Sequence, residues 1–315
     1  MAIAFIFPGQ GSQAVGMGKE LAAAFPAARA VFEEVDAALG QNLSKLMFEG
    51  PQDQLTLTEN AQPALIAVSL AVARVLEAEK GISVAKAAKL VAGHSLGEYS
   101  ALAAAGAFKL ADAARLLKLR GQSMQKAVPV GVGAMSALLG VGLDVARQVA
   151  AAAAQGECCE IANDNEPTQV VLSGHKTAID RIPEAGKAFG VRRALPLPVS
   201  APFHCALMQP AADAMAEALS KVEIKAPSVP VVANVLAAPI SDPAEIRRRL
   251  VEQVTGTVRW RECVLAMSAA GVTSYHELGA GKVLAGLVKR IDKAATATSI
   301  GTPADIEAAA AGFKS

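Results

Sequence analysis

The chain has 315 residues, 52% of them hydrophobic, and a formal net charge of +1 at pH 7. This length and apolar content suffice for a large core, arranged as one large domain or two. The near-neutral charge excludes the basic field on which nucleic-acid binding depends, and an aromatic content of 4% argues against base-stacking platforms.

The opening segment MAIAFIFPGQ predicts a first strand, because no basic residue precedes its apolar run and Pro8-Gly9 ends it. The apolar stretch at residues 65–76 contains Arg74 and predicts a core helix rather than a membrane span. None of the four cysteines belongs to a C-x-x-C pair, the spacing typical of zinc and thioredoxin-type sites. We therefore expect a cytoplasmic protein with reduced thiols. The cysteines are Cys158, Cys159, Cys205 and Cys263.

Residues 1–127 alternate between short apolar runs and longer helical patterns. Strands are predicted at 2–7 and 87–93, and helices before residue 39 and over 60–78, 95–106 and 109–128. Strands that alternate with helices favour an α/β fold with a mostly parallel sheet covered on both faces.

The pattern changes at residues 128–198, which have the order βαββαβ of a ferredoxin-like unit. We predict that this small domain is inserted into a large domain formed by residues 1–127 and 199–315. After the insertion, residues 204–220 predict a helix, and 228–235 and 273–279 predict returning core strands. The Ala- and Thr-rich composition of the tail from about Lys293 predicts that this segment lies at the protein surface.

A glycine-rich loop follows the first strand, and its residues 9–14 fit the dinucleotide fingerprint G-x-G-x-x-G/A. The acid that should end the next strand would be Glu33 or Glu34, but both lie in a predicted helix. The alternative use of such a loop is close approach of the backbone to a ligand, with N–H groups directed at an anion. We favour the alternative.

Gly93-His94-Ser95-Leu96-Gly97 matches G-x-S-x-G between a predicted strand and a predicted helix, the nucleophile elbow of serine acyl-transfer enzymes. A serine hydroxyl needs an adjacent base at neutral pH. The N–H of Leu96, at the start of the helix, is the natural first oxyanion donor. The alternative is a serine that only caps the helix.

Four histidines could supply the base. His94 adjoins Ser95 and cannot turn back onto its hydroxyl, His175 is expected on a surface loop, and His276 at a strand end. His204 is favoured by position, since it follows the serine where the chain re-enters the large domain. No acid stands out as a third member, and the candidates in chain order are Asp112, Asp144, Asp164 and Asp180.

Several motifs, taken in order, resemble one known family. FPGQGSQ near the N-terminus, GHSLGEYSAL at the elbow, KLRGQSMQ, PVSAPFHCALM and GAGKVLAGLVKR resemble the malonyl-CoA:acyl carrier protein transacylases, the acyltransferases of type II fatty acid synthesis. The resemblance covers nearly the whole chain, and related acyltransferase domains of polyketide synthases share it. It implies an α/β-hydrolase-like large domain with a ferredoxin-like small one.

The resemblance also implies roles for particular residues. Ser95 and His204 form the catalytic dyad, and the backbone carbonyl of Gln253, rather than a carboxylate, orients the histidine. The backbone N–H of Gln10 is the second oxyanion donor beside that of Leu96. The glycine loop then holds an oxyanion, which weakens the dinucleotide interpretation further.

Arg120 carries over as the partner of the substrate's free carboxylate, for which a guanidinium offers a planar bidentate fork. By composition alone it would be one of three cations on a solvated helix face. Phe203 resembles the Phe-His pair of malonyl-selective members and would narrow the pocket beside the acyl α-carbon. Asn163 and His94 complete the expected substrate-binding set.

The implied reaction is a ping-pong transfer of malonyl from malonyl-CoA, through a malonyl-serine ester, to the phosphopantetheine thiol of holo acyl carrier protein. No metal or redox cofactor, no nucleic acid, no membrane and a monomer are expected. Alternatives are a serine thioesterase or esterase on the same site, an acyltransferase of polyketide synthesis, and a non-catalytic carrier-binding module. A basic rim is predicted to dock the acidic carrier, scattered solvated charges being the alternative. Its members are Lys187, Arg192, Arg193, Lys289 and Arg290.

Overall fold

The computed structural model describes residues 2–313, with ten strands in that range. The strands are β1 (Ala2–Phe7), β2 (Leu90–Gly93), β3 (Gly133–Leu139), β4 (Cys159–Glu166), β5 (Gln169–His175), β6 (Arg193–Pro196), β7 (Val231–Ala233), β8 (Ala238–Ile240), β9 (Val272–Leu278) and β10 (Thr296–Ile300).

Helices cover both faces of the larger sheet and one face of the smaller. They are α1 (Lys19–Ala24), α2 (Pro26–Leu39), α3 (Leu43–Glu49), α4 (Gln52–Thr56), α5 (Thr58–Lys80), α6 (Val84–Ala87), α7 (Gly97–Ala104), α8 (Leu110–Lys126), α9 (Leu143–Ala154), α10 (Lys176–Lys187), α11 (Gln209–Ser220), α12 (Pro243–Thr255), α13 (Trp260–Ala269), α14 (Val283–Ile291) and α15 (Pro303–Phe313), with a 3₁₀ turn at Ala206–Met208.

The larger sheet has the strand order β10-β9-β1-β2-β7-β8, and all of its pairs are parallel except β7 with β8. Its central strand β1 is buried from Ala4 to Phe7, as a continuous apolar run should be when helices cover both faces. The prediction of an α/β fold with a mostly parallel sheet is confirmed.

The smaller sheet is antiparallel, with the order β4-β5-β3-β6. It follows the chain order β3-α9-β4-β5-α10-β6, the βαββαβ pattern expected of a ferredoxin-like unit. Its own apolar cluster lies between the sheet and helices α9 and α10. The boundaries at 127/128 and 198/199 stay a prediction.

Helix α5 is the central helix of the large core. It is long and apolar enough to cross a membrane by length and composition, but 83% of its most apolar window is buried inside the protein. Arg74, near its end, pairs with Glu34 of α2 at 2.9 Å. The prediction of a core helix is confirmed.

The C-terminal tail corrects a prediction. Residues beyond Lys293 form the edge strand β10 and helix α15, and both Ile300 and Ile306 are fully buried. The Ala- and Thr-rich sequence of this tail has no clear hydrophobic periodicity from which a strand or a helix could be predicted. His175 likewise ends strand β5, where its Nδ1 accepts the N–H of Cys158 at 2.9 Å, instead of lying on a surface loop.

Between residues 236 and 271 the structure has β8, α12 and α13, for which the sequence analysis predicts no element. The start of α12 does carry a local signal. The Asp242 side chain accepts the N–H of Glu245 at 2.8 Å, and Pro243 occupies the first turn, the usual pair of helix-start features.

Backbone pairing joins the two sheets beside α12. The N–H of Val258 donates to the carbonyl of Ala162 at 2.9 Å, and the N–H of Asp164 donates to the carbonyl of Val258 at 3.0 Å. The buried Asp164 carboxylate also pairs with Arg261 of α13 at 2.8 Å. Strand β4 of the small sheet is therefore held against the segment that follows α12.

Candidate active site

Ser95 lies in the sharp turn between β2 and α7, with a φ of 54°. A left-handed backbone is unfavourable for a side chain other than glycine and typifies strained functional turns. The two flanking glycines allow the turn. A Cβ at Gly93 would lie 1.9 Å from the carbonyl oxygen of Gly97, and one at Gly97 would lie 2.2 Å from that of Phe7.

The Ser95 hydroxyl is paired with His204. Ser95 Oγ lies 2.8 Å from His204 Nε2, and His204 Nδ1 lies 2.8 Å from the backbone carbonyl oxygen of Gln253. Since a carbonyl can only accept, Nδ1 carries the proton and Nε2 is free to accept the serine proton. The Gln253 carbonyl is in the last turn of α12, where carbonyl groups lack helical partners.

The surroundings keep His204 a neutral base. Burial above all, together with the nearby Arg120 charge, lowers the pKa of His204 to about 3, although the hydrogen bond that Nδ1 donates to the Gln253 carbonyl acts to raise it. The imidazole is only 4% exposed. A neutral imidazole at pH 7 can take the serine proton without first losing one of its own.

Two backbone N–H groups are available for an oxyanion. Leu96 begins the turn into α7, and Gln10 lies in the glycine loop after β1; both line the cavity beside Ser95. Within residues 2–313, neither amide has a protein acceptor. The loop packs directly on the elbow, since a Cβ at Gly9 would be 2.7 Å from the carbonyl oxygen of His94. The two amides are thus free to donate to an oxyanion, and their role as its donors stays a prediction.

The glycine loop is not built as a dinucleotide site. The first helix after it begins only at Lys19, so residues 9–14 do not lead directly into a helix as the fingerprint requires. Glu33 and Glu34 lie in the middle of α2 rather than at the end of a strand. The geometry favours the anion-facing alternative.

Arg120 of α8 is buried, at 1% exposure, next to the nucleophile. Its Nη2 donates to Ser95 Oγ at 3.2 Å and to Gln253 Oε1 at 2.9 Å, and its Nη1 donates to Gln62 Oε1 at 2.9 Å. Its Nε has no partner within the described residues. No carboxylate there pairs with this guanidinium, so it can receive an anionic group from outside.

A cavity of about 380 Å³ opens beside these groups. Phe203 and Asn163, both predicted to bind substrate, line it. His94 also lines it, but its Nε2 is 2.8 Å from Asn165 Oδ1 of β4, and burial lowers its pKa. The ring of His94 is thus turned to the small domain and away from the Ser95 hydroxyl.

Three functional positions escaped the sequence analysis. Asn234 follows β7 and accepts the N–H of Ser95 at 2.8 Å, while its Nδ2 donates to the carbonyl of Gly93 at 2.7 Å. Glu98 of α7 accepts the backbone N–H of Asn234 at 3.0 Å. Gln62 of α5 holds Arg120. The sequence position of Asn234 could have indicated it, because side chains at the carboxyl ends of parallel strands gather at one edge of the sheet. Glu98 could have been found as the single charged residue in an apolar helix.

The remaining predicted residues lie elsewhere. None of the four candidate acids is hydrogen-bonded to His204, whose ring nitrogens pair with Ser95 and the Gln253 carbonyl. Each acid instead forms an ion pair: Asp112 with Arg115, Asp144 with Arg147, Asp164 with Arg261 and Asp180 with Lys176. In the described part of the chain, no three His, Cys, Asp or Glu side chains are grouped as metal ligands would be.

The five cations of the predicted rim form two groups instead of one. Lys187 ends α10, Arg192 directly precedes β6, and Arg193 begins β6 at one edge of the small sheet. Lys289 and Arg290 end α14, next to β4 at the opposite edge, where Arg290 approaches Glu166 at 3.6 Å. Three strand spacings, about 14 Å, separate the two edges of the sheet, and the docking rim stays a prediction.

Known proteins match this chain along its whole length. A model of the acyl transferase domain family matches residues 4–304. The malonyl CoA-acyl carrier protein transacylase of Salmonella typhimurium is 48% identical over 97% of this chain and 98% of its own. The crystal structure of an acyl-carrier-protein-S-malonyltransferase from Bartonella henselae has a TM-score of 0.97 and 55% identity over 100% of both chains.

A further solved structure is a malonyl-transacylase in complex with a type II PKS acyl-carrier protein. It has a TM-score of 0.94 and 44% identity, over 99% of this chain and 100% of its own. The family model, the curated relatives and the solved structures all name acyl transferases. The chain belongs to the acyl transferase domain family and, within it, to the malonyl CoA-acyl carrier protein transacylases.

Proposed function

We propose that the protein transfers a malonyl group from malonyl-CoA to the phosphopantetheine thiol of a holo acyl carrier protein, through an ester on Ser95. The observation that carries the proposal is Arg120. A buried guanidinium without a carboxylate partner lies 3.2 Å from the nucleophile, in the cavity where the acyl group must sit. An acyl group with its own carboxylate supplies the direct anionic partner that the guanidinium lacks.

The first half-reaction loads the enzyme. Neutral His204 takes the proton of Ser95 at Nε2, and Oγ attacks the thioester carbonyl of malonyl-CoA. The N–H groups of Gln10 and Leu96 stabilise the oxyanion. The carbonyl of Gln253 accepts from Nδ1–H and stabilises the imidazolium. Collapse of the intermediate expels the thiolate of CoA, which takes the proton from His204.

The second half-reaction discharges the ester. The phosphopantetheine thiol gives its proton to His204, and its sulfur attacks the ester carbonyl. The same two N–H groups hold the oxyanion, and His204 returns the proton to Ser95 Oγ. The chemistry requires no metal or redox cofactor, and coenzyme A enters only as the substrate's carrier.

A serine hydrolase on the same site is the chief alternative. One observation argues against a hydrolase: a backbone carbonyl, not a carboxylate, accepts the hydrogen bond from His204 Nδ1. A carboxylate at that place would make the histidine a stronger base for the activation of water. The name of the relative solved with an acyl-carrier protein supports a carrier as acceptor. The same relative was solved with a type II PKS carrier. We propose fatty acid synthesis for this chain because its motifs resemble the transacylases of that pathway.

We further propose a monomeric, cytoplasmic enzyme that the carrier approaches across one of the two basic groups. If Arg192 and Arg193 form the docking group, replacing both with acidic residues should lower the rate of malonyl transfer to the carrier and make that rate less dependent on salt concentration. The malonyl-CoA half-reaction should be unchanged. The same reversal at Lys289 and Arg290 tests the other edge.

The experiment that tests the function is peptide mapping after incubation with malonyl-CoA. The expected result is a malonyl increment on the peptide that contains Ser95, and none in Ser95→Ala. The matched control is Ser100→Ala, a buried serine on α7, which should keep the increment. Labelling that persists in Ser95→Ala would overturn the assignment of the nucleophile.

A further inference from the structure

Glu98 is a buried carboxylate at the base of the elbow, 1% exposed and three residues after Ser95. Its Oε2 accepts the backbone N–H of Asn234 at 3.0 Å and Nε2 of Gln253 at 2.9 Å. Within residues 2–313 it forms no ion pair. A buried charge without a direct counter-ion is costly, so its neighbours must explain its presence.

One amide separates Glu98 from Arg120. Nε2 of Gln253 donates to Glu98, while Oε1 of the same side chain accepts Nη2 of Arg120 at 2.9 Å. The orientation of this amide is fixed, because Nε2 also donates to the carbonyl of Ser95 at 2.9 Å. A flipped amide would set its oxygen against two acceptors and its NH₂ against the guanidinium.

The free site therefore holds one positive and one negative group, joined through Gln253, and nearly neutral as a whole. A malonyl ester would place a second negative charge on Arg120. Two carboxylates would then share one buried guanidinium, and like charges in a buried site disfavour joint ionisation. The ester's carboxylate touches Arg120 directly, whereas Glu98 does not, so Glu98 is the group that should lose its charge.

We propose that Glu98 is the resident counter-charge of Arg120 and that it takes up a proton from solvent when the carboxylate of a malonyl ester pairs with Arg120. This inference rests on the proposed function. It makes Glu98 a specificity-determining residue that acts through Gln253. An uncharged acyl group leaves the pairing of Glu98 with Arg120 undisturbed.

The titration of the surrounding groups supports the proposal. Burial raises the pKa of Glu98 to about 7, against the hydrogen bonds that Asn234 and Gln253 donate to it and, as the smallest opposing effect, the charge of Arg120. A carboxylate that neutralises Arg120 removes this opposition and raises the pKa further. Around Glu98, burial raises the pKa of Tyr99 on α7 and of Cys263 on α13, so both stay protonated at pH 7.

The test measures protons taken up as the acyl-enzyme forms. Wild-type enzyme is mixed with malonyl-CoA at pH 7 in dilute buffer with a pH indicator, and acyl-enzyme is quantified by intact mass. Acyl transfer from a thioester to a serine releases CoA as the thiol and consumes no proton near pH 7. For a pKa shift of about one unit from 7, we expect about 0.4 proton per malonyl-enzyme. Acetyl-CoA, the matched uncharged donor, should give none.

Two variants assign the proton to a residue. Glu98→Gln keeps an oxygen that accepts from Gln253 but cannot titrate, so uptake per malonyl-enzyme should vanish. Glu277→Gln is the matched control, because Glu277 is also a fully buried carboxylate with a raised pKa but caps α14. Its uptake should equal that of the wild type.

Malonyl-enzyme that forms without proton uptake would overturn this inference alone and leave the proposed function intact. Equal uptake with acetyl-CoA, or uptake that persists in Glu98→Gln, would also overturn it. A wild-type enzyme that accepts no malonyl group at all would overturn the proposed function and, with it, the inference.

Discussion

The Arg120 guanidinium is held on three sides by neutral partners, the amides of Gln62 and Gln253 and the hydroxyl of Ser95. Neutral oxygens fix its orientation but leave its charge uncompensated by direct contact. A site of this kind discriminates between acyl groups by charge, since only a carboxylate recovers the cost of burying the guanidinium.

Replacing Arg120 with alanine should therefore separate two substrates. We expect kcat/KM for malonyl-CoA to fall by a factor that corresponds to a loss of about 2–5 kcal/mol in transition-state stabilisation. This is the cost of truncating one partner of a buried charged pair. Transfer of acetyl should be spared or increased. Arg115→Ala is the matched control, because Arg115 lies on the same helix with an exposed side chain. Equal losses for malonyl and acetyl would contradict the role of Arg120.

The pH profile should report the neutral state of His204. Because burial and Arg120 hold its pKa at about 3, acylation of Ser95 by acetyl-CoA should not lose rate as the pH falls from 8 to about 5. Rapid-quench measurement of acyl-enzyme gives the rate, and circular dichroism checks that the fold persists. A rate that halves near pH 6.5, the ordinary value for histidine, would contradict this account of the base.

At the scale of elements, the elbow depends on the close approach of three backbones. Strand β1, strand β2 and the start of α7 meet where Gly93 and Gly97 lack side chains. The loop after β1 then lies directly on the turn, which brings the N–H of Gln10 beside that of Leu96. Asn234, at the end of β7, bonds to both sides of the turn. The strain at Ser95 is thus offset by contacts from neighbouring strands.

Gly97→Ala should disrupt this arrangement. Its Cβ would meet the backbone carbonyl of Phe7 at 2.2 Å, and neither strand nor helix can yield without moving the turn. We expect a lower Tm and loss of acyl-enzyme formation. Gly286→Ala, inside α14 with its nearest contact at 3.7 Å, should instead be neutral or stabilise by about 0.4–1 kcal/mol. An active, normally stable Gly97→Ala enzyme would contradict the packing argument.

At the scale of the whole molecule, the cleft is assembled from two sheets. The large sheet supplies the elbow and the glycine loop, and β4 of the small sheet supplies Asn163 and Asn165. His204 lies in the segment that connects β6 to α11. The Val258 pairing and the Arg261–Asp164 ion pair fix the distance between the two sheets. A fixed separation suits a cavity that must hold a small acyl group against a buried charge.

Stability should depend on pH through Glu98. Its pKa is about 7 in the fold and near 4.5 in the unfolded chain, so the folded protein binds more protons between these values. The protonated form of Glu98 therefore makes its full contribution to stability below pH 4.5. As the pH rises through 7 this contribution is lost, and the free energy of unfolding falls by at most about 3 kcal/mol. The Tm of Glu98→Gln relative to wild type should therefore rise from pH 5 to pH 8. A pH-independent difference would contradict the buried state of this carboxylate.

Much of this architecture was predictable from local patterns. The elbow motif identified Ser95, chain order favoured His204, and the βαββαβ pattern gave the small domain. The role of the Gln253 carbonyl came from the family resemblance, because a backbone acceptor leaves no mark in a sequence. Glu98 and Asn234 were missed since their partners lie far along the chain. The division of the basic residues into two groups could not be predicted for the same reason, since spacing does not tell which edge of a sheet a residue occupies.

The central claim is that the ester on Ser95 passes to a carrier thiol, and a chase of pre-formed malonyl-enzyme tests it most directly. The enzyme is loaded with malonyl-CoA, freed of excess substrate and divided between buffer and holo acyl carrier protein, and both are followed by intact mass. We predict that the malonyl increment leaves the enzyme and appears on the holo carrier far faster than it is lost in buffer. Apo carrier, which lacks the thiol, should behave as buffer does. Loss at the same rate in buffer as with holo carrier, yielding free malonate, would contradict a transferase and identify a hydrolase.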